Sequence, residues 1–191
     1  MILHPGNPRN PRNPLASVKS LGTDRLAKSL ASRLDDGYHY LRHANVGGAD
    51  EIDAVIVGPG GTWAVSSAHE HGRFRKRNGH WYRFNRSTES WVPWDAAPIT
   101  AARLAGHRLE LLLDRAALPA LVEACLITGR DIEVTWERDQ RPGIHVYDEP
   151  EALARRISRD EILSDAQVDR IVAILDPRQP LPRLAPSTPR G

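Results

Sequence analysis

Two carboxylates spaced two residues apart, and a run of cations uninterrupted by any acid, are the parts of this chain that could do chemistry. The stretch ADEIDAVIVGPGGTWAVSSAHEHG, residues 49–72, opens on acids that include Glu51 and Asp53. It then runs through an apolar segment, reverses at Pro59-Gly60-Gly61, and returns through a second apolar segment to Ser66, Ser67 and Ala68. Residues i and i+2 of an extended strand share a face, so alternation predicts Glu51 and Asp53 on one side and Ile52 on the other. Two carboxylates at a sheet edge suit Mg²⁺ or Mn²⁺, hard ions satisfied by one or two carboxylates plus water and phosphate oxygens. Cleaving a phosphodiester at such an ion calls for a further carboxylate and for a lysine that positions or activates water. Both would come from the strand directly opposite.

His69-Glu70-His71 follows that second strand. Glu70 is four positions beyond Ser66, so on a straight strand it shares that face but sits about 13 Å further along. It can return to Asp53 only where the chain bends sharply. The two histidines could hold a transition metal given a third ligand, or serve as ordinary surface-loop residues.

Residues 73–86, RFRKRNGHWYRFNR, hold Arg73, Arg75, Lys76, Arg77, Arg83 and Arg86 with no acid among them. Phe74, Trp81, Tyr82 and Phe84 are interleaved, and Asn78-Gly79 is the dipeptide that suits a type I′ hairpin turn. Alternation puts Phe74 on one face and Arg73, Arg75 and Arg77 in a row on the other. A row of arginines beside an exposed ring can neutralise phosphates while the ring stacks on a base. The same hairpin can equally be a solvated one whose rings close the core. Trp91 and Trp94, in SWVPWD, read as a packed loop.

The elements that position these residues follow from periodicity. SVKSLGTDRLAKSLASRL places Val18, Leu26, Leu30 and Leu34 on one helical face, ended by Asp35-Asp36-Gly37. YHYLRHANV, EIDAVIVG and TWAVSS read as strands, the last two joined by the Pro-Gly-Gly turn. APITAARLAGHRLELLLDRA reads as a long helix, ALVEACLIT as a buried strand, DIEVTW and GIHVY as further strands, and EPEALARRI as a short helix. In LSDAQVDRIVAILDP, Ser164 and Gln167 form a capping box ahead of Val168, Ile171, Val172 and Leu175. This order describes an α/β domain with a central mixed sheet and helices on both faces.

The 191 residues fit one domain plus tails, and a net charge of +2 is too small to imply a polyanionic partner by itself. A single cysteine, Cys125, excludes an internal disulfide and a multi-cysteine zinc site; within its apolar run it reads as a buried thiol. No apolar run approaches the roughly 18–20 residues that cross a bilayer. MILHPGNPRNPRNP has no signal-peptide segment, so a cytoplasmic protein without membrane contact is expected. The expected organisation is an Asn/Pro/Arg-rich disordered arm over 1–16, a domain over 17–158, a C-terminal helix over 159–176 and a Pro-rich disordered tail over 177–191.

EIDAVIVGPGGTWAV, preceded by a helix-strand unit and followed by the Gly-Arg-x-Arg hairpin and a helix, resembles the nuclease-related domain (NERD) family. The resemblance covers roughly residues 20–157 and implies a restriction-endonuclease-like core of the PD-(D/E)xK type. It implies a metal-binding aspartate at Asp53, with Glu51 matching the acid before it. The Glu-x-Lys pair that the family carries falls on Ser66 and Ala68, and its early helical glutamate falls near Thr23, with Asp24 about 100° around the helix. Three of the four groups are thus replaced. Three readings stay open. One is a non-catalytic relative that binds DNA, RNA or a protein, needs no metal, and uses Arg73, Arg75, Lys76, Arg77 and Arg83. A second is an Mg²⁺- or Mn²⁺-dependent nuclease rearranged around Asp53, Glu51 and Glu70. The third is a structural protein-interaction module.

Overall fold

Two apolar strands joined at Pro59-Gly60 form the middle of the structure, and the helices assemble on either side of them. The computed structural model describes residues 1–4, 25–46, 51–68, 72–128, 132–136 and 144–176. In chain order these give β1 (Ile2–His4), α1 (residues 25–31), β2 (His39–Ala44), β3 (Ile52–Gly58) and β4 (Gly61–Ser67). Then come β5 (Gly72–Arg77), β6 (His80–Asn85), β7 (Ser90–Pro93) and α2 (Ala97–Arg115). The chain ends in β8 (Val122–Ile127), β9 (Ile132–Trp136), β10 (His145–Tyr147), α3 (Pro150–Ile157) and α4 (Asp165–Leu175).

Six strands form the central mixed sheet in the order β1-β2-β3-β4-β8-β10. β2, β3 and β4 pair antiparallel, whereas β1 joins β2, β8 joins β4 and β10 joins β8 in parallel. Strands covered on both faces read as continuous apolar runs, which is why IDAVIVG carries one polar residue, Asp53, near its start. On one face Ala54, Ile56, Trp63 and Val65 pack against Leu26 and Leu30 of α1 and Leu153 and Ile157 of α3. On the other, Val55, Val57 and Ala64 pack against Leu109 and Leu113 of α2 and Ile171 and Val172 of α4. The hairpin turn also anchors the chain's last third. A Cβ on Gly60 would lie 1.6 Å from the Ile157 carbonyl oxygen, so only glycine permits this approach. The Pro59 carbonyl accepts the Ile162 and Leu163 amides at 2.7 and 3.0 Å, and Gln167 Oε1 caps α4 by accepting the Ser164 amide at 2.8 Å.

The expected α/β architecture, with a central mixed sheet, helices on both faces and a C-terminal helix, is the one observed. Three details differ from expectation. Residues 2–4, assigned to the arm, form an edge strand, because Ile2, Leu3 and His4 find free ladder positions opposite His39, Tyr40 and Leu41. SWVPWD is not a loop: Ser90–Pro93 pairs with β6, and Pro93 is tolerated because β7 is an edge strand. Nor does the basic hairpin join the central sheet. It belongs to a separate four-stranded sheet ordered β7-β6-β5-β9. The remainder of the arm, Thr23 and Asp24, His69-Glu70-His71 and the C-terminal tail lie outside the described residues.

Candidate functional site

Asp53 is the second residue of β3, where the ladder to β2 is interrupted and the ladder to β4 has ended. Toward β2, Arg42 pairs Ala54 and Ala44 pairs Ile52, and the regular register skips His43 and Asp53 between them. His43 has φ of 47°, a left-handed conformation that takes it out of line with its neighbours. Toward β4 the ladder stops at Ala54 and Val65. The Asp53 carboxylate fills part of that gap: Oδ2 accepts the backbone N–H of Ser67 at 2.9 Å.

The local break also corrects the alternation. Glu51 precedes the strand, so its direction is not fixed by the pleat. Ile52 packs with Val55 and Val57 rather than with Ala54 and Ile56, the partners that strict alternation assigns to it. Glu51, about two-fifths exposed, has Oε2 3.8 Å from His43 Nδ1. Both acids of the motif therefore lean on groups of their own chain.

Ser66 and Ala68 stand at the end of β4, Ser66 paired with Leu126 of β8 and the Ala68 amide donating to the Ile127 carbonyl at 2.9 Å. The Ala68 methyl packs with the Ile99 and Leu126 cluster. A hydroxyl is a weak neutral ligand for a hard divalent ion, and a methyl group can neither orient nor deprotonate water. Among the described residues, no three histidine, cysteine, aspartate or glutamate side chains converge on a common point. Nuclease-related domains typically work with a metal ion, but among the described residues the donors around Asp53 do not make up a metal shell. Burial pushes the Cys125 thiol up and, with the nearby Cys125, pushes the Tyr147 hydroxyl up to about 12. Glu123 bonds His145 at 2.9 Å and lies opposite Trp63, near the start of β4 rather than its end.

The second sheet sorts the basic residues by face. Register places Arg75 opposite Tyr82, with Phe74 opposite Arg83 and Lys76 opposite Trp81, so Arg73 and Arg75 share a face with Tyr82, Phe84 and Trp91. The Arg73 guanidinium lies 5.2 Å from the Phe84 ring centre and 5.8 Å from that of Trp91. Arg75 lies 4.1 Å from Trp91 and 5.8 Å from Tyr82. Arg73 also bonds Glu133 of β9 at 3.0 Å, both side chains half exposed. Alternation puts Arg77 on this face too, whereas Lys76 and Arg83 belong to the other. There Phe74 is buried against Trp94 at 4.3 Å and Arg83 lies over the Phe74 ring. The sequence thus foresaw the arginine row but missed Trp91 and Glu133. The Ser90–Pro93 strand is too short to show a period, and β9 joins β5 from sixty residues away.

The fold is that of an α/β domain of nuclease-like architecture, its motif acids at the start of one central strand and the facing groups at the end of the next. The family model of the nuclease-related domain, NERD, matches residues 19–173, most of the chain and into α4, and the chain belongs to that family. Neither the curated proteins nor the solved structures offer a match. Among the described residues no helix is long and apolar enough to cross a membrane.

Proposed function

We propose that this NERD domain binds nucleic acid without cutting it. The observation that carries the reading is the end of β4. Where cleavage needs an acid and a lysine facing Asp53, the chain has Ser66 and Ala68, and Asp53 accepts the Ser67 amide instead. Binding is supported by the β5 row: Arg73, Arg75 and Arg77 project from one face of a sheet, and two of them are held against rings. Guanidiniums on rings are pre-organised, so less side-chain entropy is lost when they meet phosphates.

Fluorescence anisotropy with a labelled oligonucleotide tests this reading. Binding weakens as salt rises, because each phosphate contact releases counterions. The double variant Arg75→Ala/Arg77→Ala lowers the magnitude of the log–log salt slope by about 1.4 to 1.8, since each contact contributes roughly 0.7 to 0.9. Salt-independent binding, or a double variant that binds like the parent, refutes the assignment.

A further inference from the structure

Resting on that reading, we infer that the nucleic acid bound by the four-stranded sheet is single-stranded, gripped by base stacking on the ring face as well as by phosphate contacts.

The face carries three half-buried rings, Tyr82, Phe84 and Trp91, on two adjacent strands. A face meant for phosphates alone has no need of rings, and a solvated hairpin would turn them inward, as Phe74 is turned. Here Phe74, Trp81 and Trp94 already close the inner side. The outer rings are surplus to the core.

The cations above those rings are arranged for a ligand to exchange with. Arg75 is held by Trp91 and Tyr82, and its buried Nε–H has no acceptor among the described residues. Its position therefore comes from ring contact, with no carboxylate committed to it among the described residues. Arg73 differs, because Glu133 neutralises it at the surface. Arg73, Arg75 and Arg77 recur every second residue, about 6.6 Å apart. That repeat is comparable to the distance between successive phosphates of an extended strand. At the end of the sheet near Gly72, a cleft of about 460 Å³ lined by Arg83, Asn85, Arg86 and Val92 shares Phe84 with the ring face. Arg83 and Val92 pair on the reverse face, so that cleft is separate from the arginine row.

A duplex cannot use this face fully. Its bases are stacked on one another and unavailable to Trp91, so only phosphate contacts remain. A single strand can tilt each base onto a ring or guanidinium plane while its phosphates meet the next arginine, which is sequence-tolerant because every base has a π-face.

The test compares three probes by anisotropy at one salt concentration: a twelve-residue oligothymidine, a hairpin duplex with the same number of phosphates, and an abasic twelve-mer. Oligothymidine binds at least about tenfold tighter than the other two, the lower part of what stacking one base on one ring gives. Trp91→Ala removes most of that preference and leaves abasic binding nearly unchanged. Glu133→Gln, an exposed change that leaves the core intact, tightens all three probes by freeing Arg73. Equal affinity for oligothymidine and the abasic strand, or for strand and duplex, overturns the stacking inference while leaving nucleic-acid binding in place. No binding of any probe overturns both. If Trp91→Ala unfolds the domain, Tyr82→Ala serves in its place, and an unchanged preference in that folded variant refutes the inference.

Discussion

Asp53 has a structural duty in this chain, and its replacement has a calculable cost. Its carboxylate accepts the Ser67 N–H at 2.9 Å beyond the last β3–β4 pair. A hydrogen bond to a charged acceptor contributes about 1.5–3 kcal/mol, and the lower half applies to a site that is only partly buried. Asp53→Asn keeps an acceptor but loses the charge, a loss of about 1 kcal/mol; Asp53→Ala strands the Ser67 amide and costs about 2 kcal/mol. For a chain of this size each kcal/mol moves Tm by about 2–4 °C, so the alanine variant melts roughly 4–8 °C lower and the asparagine variant about half as much. Calorimetry with EDTA and again with Mn²⁺ reads both the cost and its cause. The two profiles coincide for parent and variants alike if the carboxylate serves Ser67. A rise in Tm with Mn²⁺ that Asp53→Asn abolishes means the carboxylate holds an ion, and the reasoning fails. An alanine variant as stable as the parent shows that the Ser67 bond contributes nothing.

Other regions give independent checks. Gly60→Ala pushes a methyl group into the Ile157 carbonyl and lowers denaturant stability by about 3 kcal/mol, read by the urea midpoint. His39 is held below its ordinary range by burial first and by His4 next, with Asp169 pulling the other way and the Met1 ammonium adding to the depression; His4 in turn bonds Asp176 at 3.2 Å. A histidine held low binds fewer protons folded than unfolded. Stability is therefore complete above its unfolded value of about 6.5 and declines as pH falls below it. Tm drops between about pH 7 and about pH 5.5, and His39→Gln reduces that drop. Cys125, buried with its thiol pushed up, stays unreacted with an aromatic disulfide reagent until denaturant is added.

Much of the fold could be read from periodicity, because most elements bury one clear stripe. Leu109 and Leu113 fall on one face of α2, and Ser164 and Gln167 announce α4 three residues apart. Asn78-Gly79 marked its turn, both residues taking positive φ of 50° and 80°. What escaped the sequence is long-range pairing. Nothing local to Ile132–Trp136 says that it will lie beside Gly72–Arg77, or that Ser90–Pro93 will bring Trp91 under two arginines. The departure at His43 was also invisible, because a single left-handed residue in HYLRHA leaves the pattern intact while breaking the pairing beside Asp53. At the motif, identity told more than geometry. Ser66 and Ala68 were legible as poor donors before any coordinates, while the Asp53–Ser67 bond needed them.

The most direct measurement puts protein in excess over supercoiled plasmid and over single-stranded circular DNA with Mn²⁺, each sample divided between a mobility-shift gel and a denaturing gel. Retarded DNA that is intact after deproteinisation is the outcome expected here. Mn²⁺-dependent breaks that Asp53→Asn prevents would contradict it.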